Sequence, residues 1–180
     1  SITSGGYASV HAAAETKIIG NAGWYSGGDI AGLGDFDGDG NDDLSIGVMQ
    51  ANANGVLAGA AFIVTGGQSG TIDIDDSDLT LNGASAGDRA GADVRAAGDV
   101  NGDGLFDMLV GISRDNTGAA GAGAIALVLG RADISTIDGS DIQSVADAML
   151  TGPSTGSGIG DVFESNFDWD SDGETDVLVG

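Results

Sequence analysis

The chain has 180 residues, with 28 Asp and Glu against five Lys and Arg, for a formal net charge of −23. A surface this negative repels phosphate backbones and excludes a nucleic-acid binder. No apolar run approaches the roughly 18 residues of a membrane helix, and the absence of Cys excludes disulfides, a thiol nucleophile and Cys-ligated metal.

A hydrophobic content of 41% supplies a core, and 34 Gly beside a single Pro point to many tight turns between short strands. The chain therefore reads as all-β. It opens on Ser1 with no basic-then-apolar leader, so it reads as processed or as a piece of something larger.

From the N-terminus, a strand is expected over Gly6 to Ala12 and another over Thr16 to Gly20. A Gly/Ala-rich strand from Gly27 to Gly34 then leads into the acidic loop Asp35-Phe36-Asp37-Gly38-Asp39-Gly40-Asn41-Asp42-Asp43, followed by the apolar Leu44 to Gly47. A small-residue loop gives way to an apolar run, Gly59 to Gly66. An irregular stretch rich in Asp, Ile and Ser ends in Leu79-Thr80-Leu81-Asn82-Gly83. Within that stretch Asp73-Ile74-Asp75-Asp76-Ser77-Asp78 reads as a solvated turn, since it lacks the Gly of the acidic loop.

The whole order then recurs. The strand Gly91 to Gly98 leads into Asp99-Val100-Asn101-Gly102-Asp103-Gly104-Leu105-Phe106-Asp107, and the later runs are Gly123 to Gly130 and Ala148 to Gly152. The stretch Ser140 to Leu150 reads either as irregular or as a short helix with Ser140 as N-cap. A third strand, Gly158 to Phe167, leads into Asp168-Trp169-Asp170-Ser171-Asp172-Gly173-Glu174-Thr175-Asp176 and a closing strand to Gly180. The loops begin 64 and 69 residues apart. Each repeat holds about four strands, the size of a large propeller blade, and such a unit needs neighbours stacked on it to bury both faces.

Each loop fits Asp-x-[Asp/Asn]-x-Asp-Gly-x-x-Asp. A Gly at position 6 permits a sharp turn. Side chains at positions 1, 3, 5 and 9 then converge with the carbonyl at position 7, as in the first part of an EF-hand loop. The expected ligands are Asp35, Asp37, Asp39, Asn41 (carbonyl) and Asp43; Asp99, Asn101, Asp103, Leu105 (carbonyl) and Asp107; and Asp168, Asp170, Asp172, Glu174 (carbonyl) and Asp176. Eleven of the 28 acidic residues fall at side-chain ligand positions, where they would repel one another without a cation. Hard oxygens favour Ca²⁺, so three calcium sites are expected. Magnesium is the rival ion, and Asp-rich turns satisfied by backbone amides are the rival explanation.

On these loops the chain resembles the FG-GAP repeat, the calcium-binding blade unit of integrin α-subunit propellers, found also in secreted bacterial proteins. Gly98 to Gly104 is a near-ideal match to its core. Tyr25-Ser26-Gly27 sits where its Phe-Gly element is expected, while Gly47-Val48-Met49 and Gly111-Ile112-Ser113 depart from its Gly-Ala-Pro. The Gly66 to Gly70 stretch looks most like the bacterial versions. The resemblance implies a β-propeller, calcium between the first two strands of each blade, and a secreted or cell-surface setting.

The units are a half-blade over 1–23, blades over 24–83 and 84–152, and a half-blade over 153–180. A seven-bladed ring needs more than twice this length. Either the chain is part of a larger propeller, or half-blades of separate chains complete one another. Its protein or glycan partner is not legible.

No enzyme is expected. His11 is the single His and is read as a surface or packed residue. Gly152-Pro153-Ser154-Thr155-Gly156 matches Gly-x-Ser-x-Gly only as chance allows in so Gly-rich a chain. Arg89, Arg95, Arg114 and Arg131 are read as ion-pair partners of surface Asp, and Trp24, Tyr25, Phe36 and Trp169 as packing between blades. Adhesion, binding or scaffolding is the leading function. A subunit of an extracellular polymer and a propeller appended to a secreted hydrolase are the rivals.

Overall fold

The computed structural model describes residues 15–173 and 175–180. The strand expected over Gly6 to Ala12, His11 and Glu174 lie outside the described residues. The chain is all-β; its described residues form twelve short strands, two 3₁₀ turns and one four-residue helix.

Among the described residues strand β1 (Thr16–Ile19) comes first. The strands β2 (Asp29–Gly34), β3 (Asp43–Val48), β4 (Ala60–Val64) and β6 (Leu79–Asn82) form an antiparallel sheet in that order. Its counterpart contains β7 (Ala90–Gly98), β8 (Asp107–Ile112), β9 (Ala124–Val128) and β10 (Ala148–Thr151), again in chain order. The strands β11 (Phe163–Phe167) and β12 (Asp176–Val179) pair as a two-stranded antiparallel ribbon.

Alternation along the strands sorts side chains to two faces. In β4, Ala61 and Ile63 face the second sheet, where they join Leu79 and Leu81 against Val94, Met108, Val110, Ile112, Ala126 and Val128. Ala60, Phe62 and Val64 point the other way and join Ile46, Val48, Ile72 and Ile74, with Ile18 and Trp24 packed on them. The second sheet repeats this: Leu109 and Ile125 turn away from the first sheet and cover Phe163. Strands buried on both sides read as near-continuous apolar runs, and β4 and β8 are buried at every position.

The stacking is close. At Gly47 an added β-carbon would overlap the carbonyl of Gly91, and at Gly111 that of Gly160. The 64- and 69-residue offsets of the loops thus recur in the sheet contacts.

The segment between the third and fourth strands departs from expectation. It contains β5 (Gly70–Asp73), which pairs in parallel with β1, Thr16 opposite Gly70 through Ile19 opposite Asp73. So β1 lies on the following unit. The same device appears one unit later: Asn82 bridges Asp141 in parallel, Asn82 N–H donates to Ser140 O at 2.9 Å and Gly139 N–H to Thr80 O at 2.8 Å. Within the Asp73 to Asp78 stretch, Ile74–Asp76 forms a 3₁₀ turn capped by the Asp73 carboxylate. The helix α1 (Ile142–Val145) follows Asp141, rather than Ser140, and has no side-chain cap.

Candidate metal centre

The three acidic loops join β2 to β3, β7 to β8 and β11 to β12, all at the same end of their strands. Each begins at a β-bulge and is shaped by its own carboxylates. The first Asp accepts from amides three to five residues on: Asp35 from Gly38 (2.7 Å) and Gly40 (3.0 Å), Asp99 from Gly102 (2.7 Å) and Gly104 (2.9 Å), Asp168 from Asp172 (3.1 Å) and Gly173 (3.0 Å). Position 3 then accepts from the amide of position 5: Asp39 onto Asp37, Asp103 onto Asn101, Asp172 onto Asp170. These Asx turns need left-handed backbone, supplied by Gly40 and Gly104 at φ +91° and +93°.

The turns bring oxygens together. Carboxylate oxygens of Asp35, Asp37 and Asp39 lie within 4.8 Å of one another, as do those of Asp168, Asp170 and Asp176. In the second loop Asn101 replaces one carboxylate, and its Nδ2 donates to Asp103 Oδ2 at 2.9 Å. The carbonyl positions Asn41 and Leu105 carry amides that donate to Asp39 and Asp103. Among the described residues no Lys or Arg pairs with these groups. A carboxylate oxygen that accepts one hydrogen bond keeps a further lone pair. The donor set therefore fits a hard divalent cation, which would offset the mutual repulsion of the acids.

Position 9 has a second duty that the spacing does not reveal. Asp43 is 3% exposed; its Oδ2 accepts from Phe36 N–H (2.8 Å) and Asp37 N–H (3.3 Å), and its Oδ1 from Gly66 N–H (2.8 Å). Asp107 is 0% exposed and likewise bridges Val100 N–H and Gly130 N–H, both at 2.8 Å. Each ties its loop to the end of the third strand. Burial pushes both carboxyls above the ordinary range, against the pull of Gly66 and Phe36 in one case and Gly130 and Val100 in the other. Asp103, fully exposed, is held below that range by Leu105 N–H and Asn101. Asp43 is not in the group formed by Asp35, Asp37 and Asp39, because its oxygens are drawn to these amides.

A second polar cluster joins all three units. Arg95 Nη1 on β7 lies 2.6 Å from Asp29 Oδ2 on β2 and 2.6 Å from Asp93 Oδ1, and its Nε lies 3.5 Å from Glu164 on β11. Asp29 also accepts from Val94 N–H, and Asp93 from Phe163 N–H. Burial and the shared hydrogen bond with Asp29 push Asp93 up to about 6. Burial alone would raise Asp29 as well, but hydrogen bonds from Asp93, Val94 and Arg95 outweigh it and hold it low.

Of the four arginines, Arg95 and Arg131 are paired, the latter with Asp147 at 3.2 Å. Arg89 and Arg114 are not paired among the described residues, contrary to expectation. Phe36 is fully buried, and Trp24 packs on the outer face of the first sheet. Tyr25 and Trp169 are 73% and 82% exposed, so they do not pack between sheets. Gly152 to Gly156 lies between β10 and β11, where Ser154 Oγ bonds Ser157 Oγ at 3.0 Å. No described helix is long and apolar enough to cross a membrane. No protein-family model and no curated protein matches the chain.

Proposed function

We propose that this chain is a secreted or cell-surface calcium-binding segment of an FG-GAP-type β-propeller. In this reading the two four-stranded sheets are blades and the acidic loops hold structural Ca²⁺. The observation that carries the reading is the convergence of Asp35, Asp37 and Asp39, and of Asp168, Asp170 and Asp176, in loops that recur with the sheets. Each cation links the first two strands of a unit and relieves repulsion among loop carboxylates. The work of the molecule is then binding, adhesion or scaffolding on a frame that calcium stabilises.

Native mass spectrometry in millimolar calcium, repeated after chelation, tests this. Three ions per chain, lost on chelation, are expected; no bound calcium overturns the reading. Extracellular modules bind calcium with Kd near 10⁻⁴–10⁻³ M, and one site at 100 Kd adds about 2.7 kcal/mol of stability.

A second reading is assembly by strand-edge complementation between chains. It is favoured by Leu178 at 65% exposure on β12 and by β10, whose residues alternate between exposed and half-buried while those of β6 are mostly buried. Dimers or larger species in the same spectra would support it, and a stable calcium-loaded monomer at high concentration would sink it.

A further inference from the structure

We propose that Arg89 and Arg114 form a binding site for a small hydroxy-carboxylate of the uronic-acid class, at the end of the strands opposite the acidic loops. Both residues line one open cleft of about 370 Å³, together with Ser113, Gly158 and Asp161, a size suited to one sugar-sized ligand.

In a chain with 28 acids and five bases, an arginine without a carboxylate is unusual. Neither guanidinium makes a hydrogen bond or ion pair among the described residues. The reason is local. Each arginine has an Asp as chain neighbour, Asp88 and Asp115, but these are both 2% exposed and turned inward. Gln143 Nε2 bridges them at 3.0 and 3.2 Å, and they also take the amides of Ser85 and Thr117. Arg114 N–H donates to Asp88 O at 3.0 Å, which joins the two Asp/Arg pairs and sets both arginines on one side.

Arg89 holds this place in a strained backbone, φ +59°. Gly158, one repeat later, has φ +70° without the β-carbon penalty. Strain retained at a non-Gly residue points to a use for the side chain.

The planar fork of a guanidinium matches a carboxylate, and a second guanidinium in the same cleft adds to the pull on the anion. Asp161 in the same cleft accepts hydrogen bonds and opposes a bare inorganic anion. The ligand that satisfies both is an acid that carries its own hydroxyl donors.

Calorimetric titration of the whole chain in millimolar calcium tests this, with glucuronate, glucose, sulfate and an oligo-uronate as probes. Glucuronate is expected to bind at least about tenfold tighter than glucose or sulfate. Arg114→Gln and Arg89→Gly should each weaken it at least about tenfold. Arg89→Gly should leave Tm within about 2 °C of the parent or above it; a purely structural Arg89 predicts a lower Tm with binding intact. A tenfold gain for the oligomer assigns a polysaccharide source, and equal affinity per residue assigns the free acid. Equal binding of glucose, tighter binding of sulfate, or no binding overturns the proposal. So does binding that survives both substitutions and vanishes on chelation, which marks calcium bridging at the acidic loops.

Discussion

The second and third acidic loops share a sequence pattern and differ in what lies behind it. Asp107 is sealed between Val100 N–H and Gly130 N–H, the latter from the end of β9. Asp176 takes only Trp169 N–H, at 2.5 Å, because the β11–β12 ribbon has no third strand among the described residues. With one side unlatched, Asp176 stands with Asp168 and Asp170. The difference separates two roles of position 9. Converging with the other loop carboxylates needs only the loop, whereas fastening the loop to its sheet needs the third strand.

The largest test is to remove the fastener. Asp107→Ala leaves two poorly solvated amides unpaired and should destabilise by about 3 kcal/mol, or about 6–12 °C in Tm. Asp176→Ala should lose less than about 1 kcal/mol under chelation. Thermal denaturation followed by circular dichroism checks both, and equal losses would erase the distinction.

Next is the cation. Asp103→Ala should lower Tm clearly in saturating calcium and leave it nearly unchanged after chelation, since Asp103 is exposed and its carboxylate accepts only local bonds. Equal loss in both conditions would show that the loop is a plain Asx turn.

A pH series probes how the second unit is joined to its neighbours. Asp93 is raised to about 6, so the folded state binds its proton more tightly than the unfolded chain. Its stabilisation is complete below about pH 4 and is lost as pH rises through 6, by about 3 kcal/mol. The lowered Asp29 works in the opposite sense, only as pH falls below its ordinary value. Asp93→Asn should flatten the decline between pH 4 and 6 in urea-denaturation midpoints. An unchanged slope would remove Asp93 from the account.

The smallest effect brings the third loop closer to the second. Ser171 holds φ +64° where Gly38 and Gly102 stand in the other loops. Ser171→Gly should raise Tm by about 2–4 °C, and Gly102→Ser should lower it by a similar amount or more.

What was legible in the sequence was what repeats locally. The 64- and 69-residue spacing located the loops, and the apolar runs located β4, β6, β9 and β10 to within a residue or two. What was hidden depends on residues distant in sequence. The pairing of β1 with β5, the Asp29–Arg95–Glu164 junction and the amides of Gly66 and Gly130 leave no periodic mark. The arginines mislead for the same reason: abundance of Asp predicts a partner for each, and only the fold shows Asp88 and Asp115 already engaged by Gln143.

The parallel pairing also sets a clock. The last strand of one unit is fastened by chain 54 residues onward at Thr16 and Gly70 and 59 onward at Asn82 and Asp141. At synthesis rates of about 5–20 residues per second, each such edge waits about 3–12 s for its cover to be made. Through that interval a freshly formed sheet presents bare backbone donors and acceptors to every other nascent chain nearby.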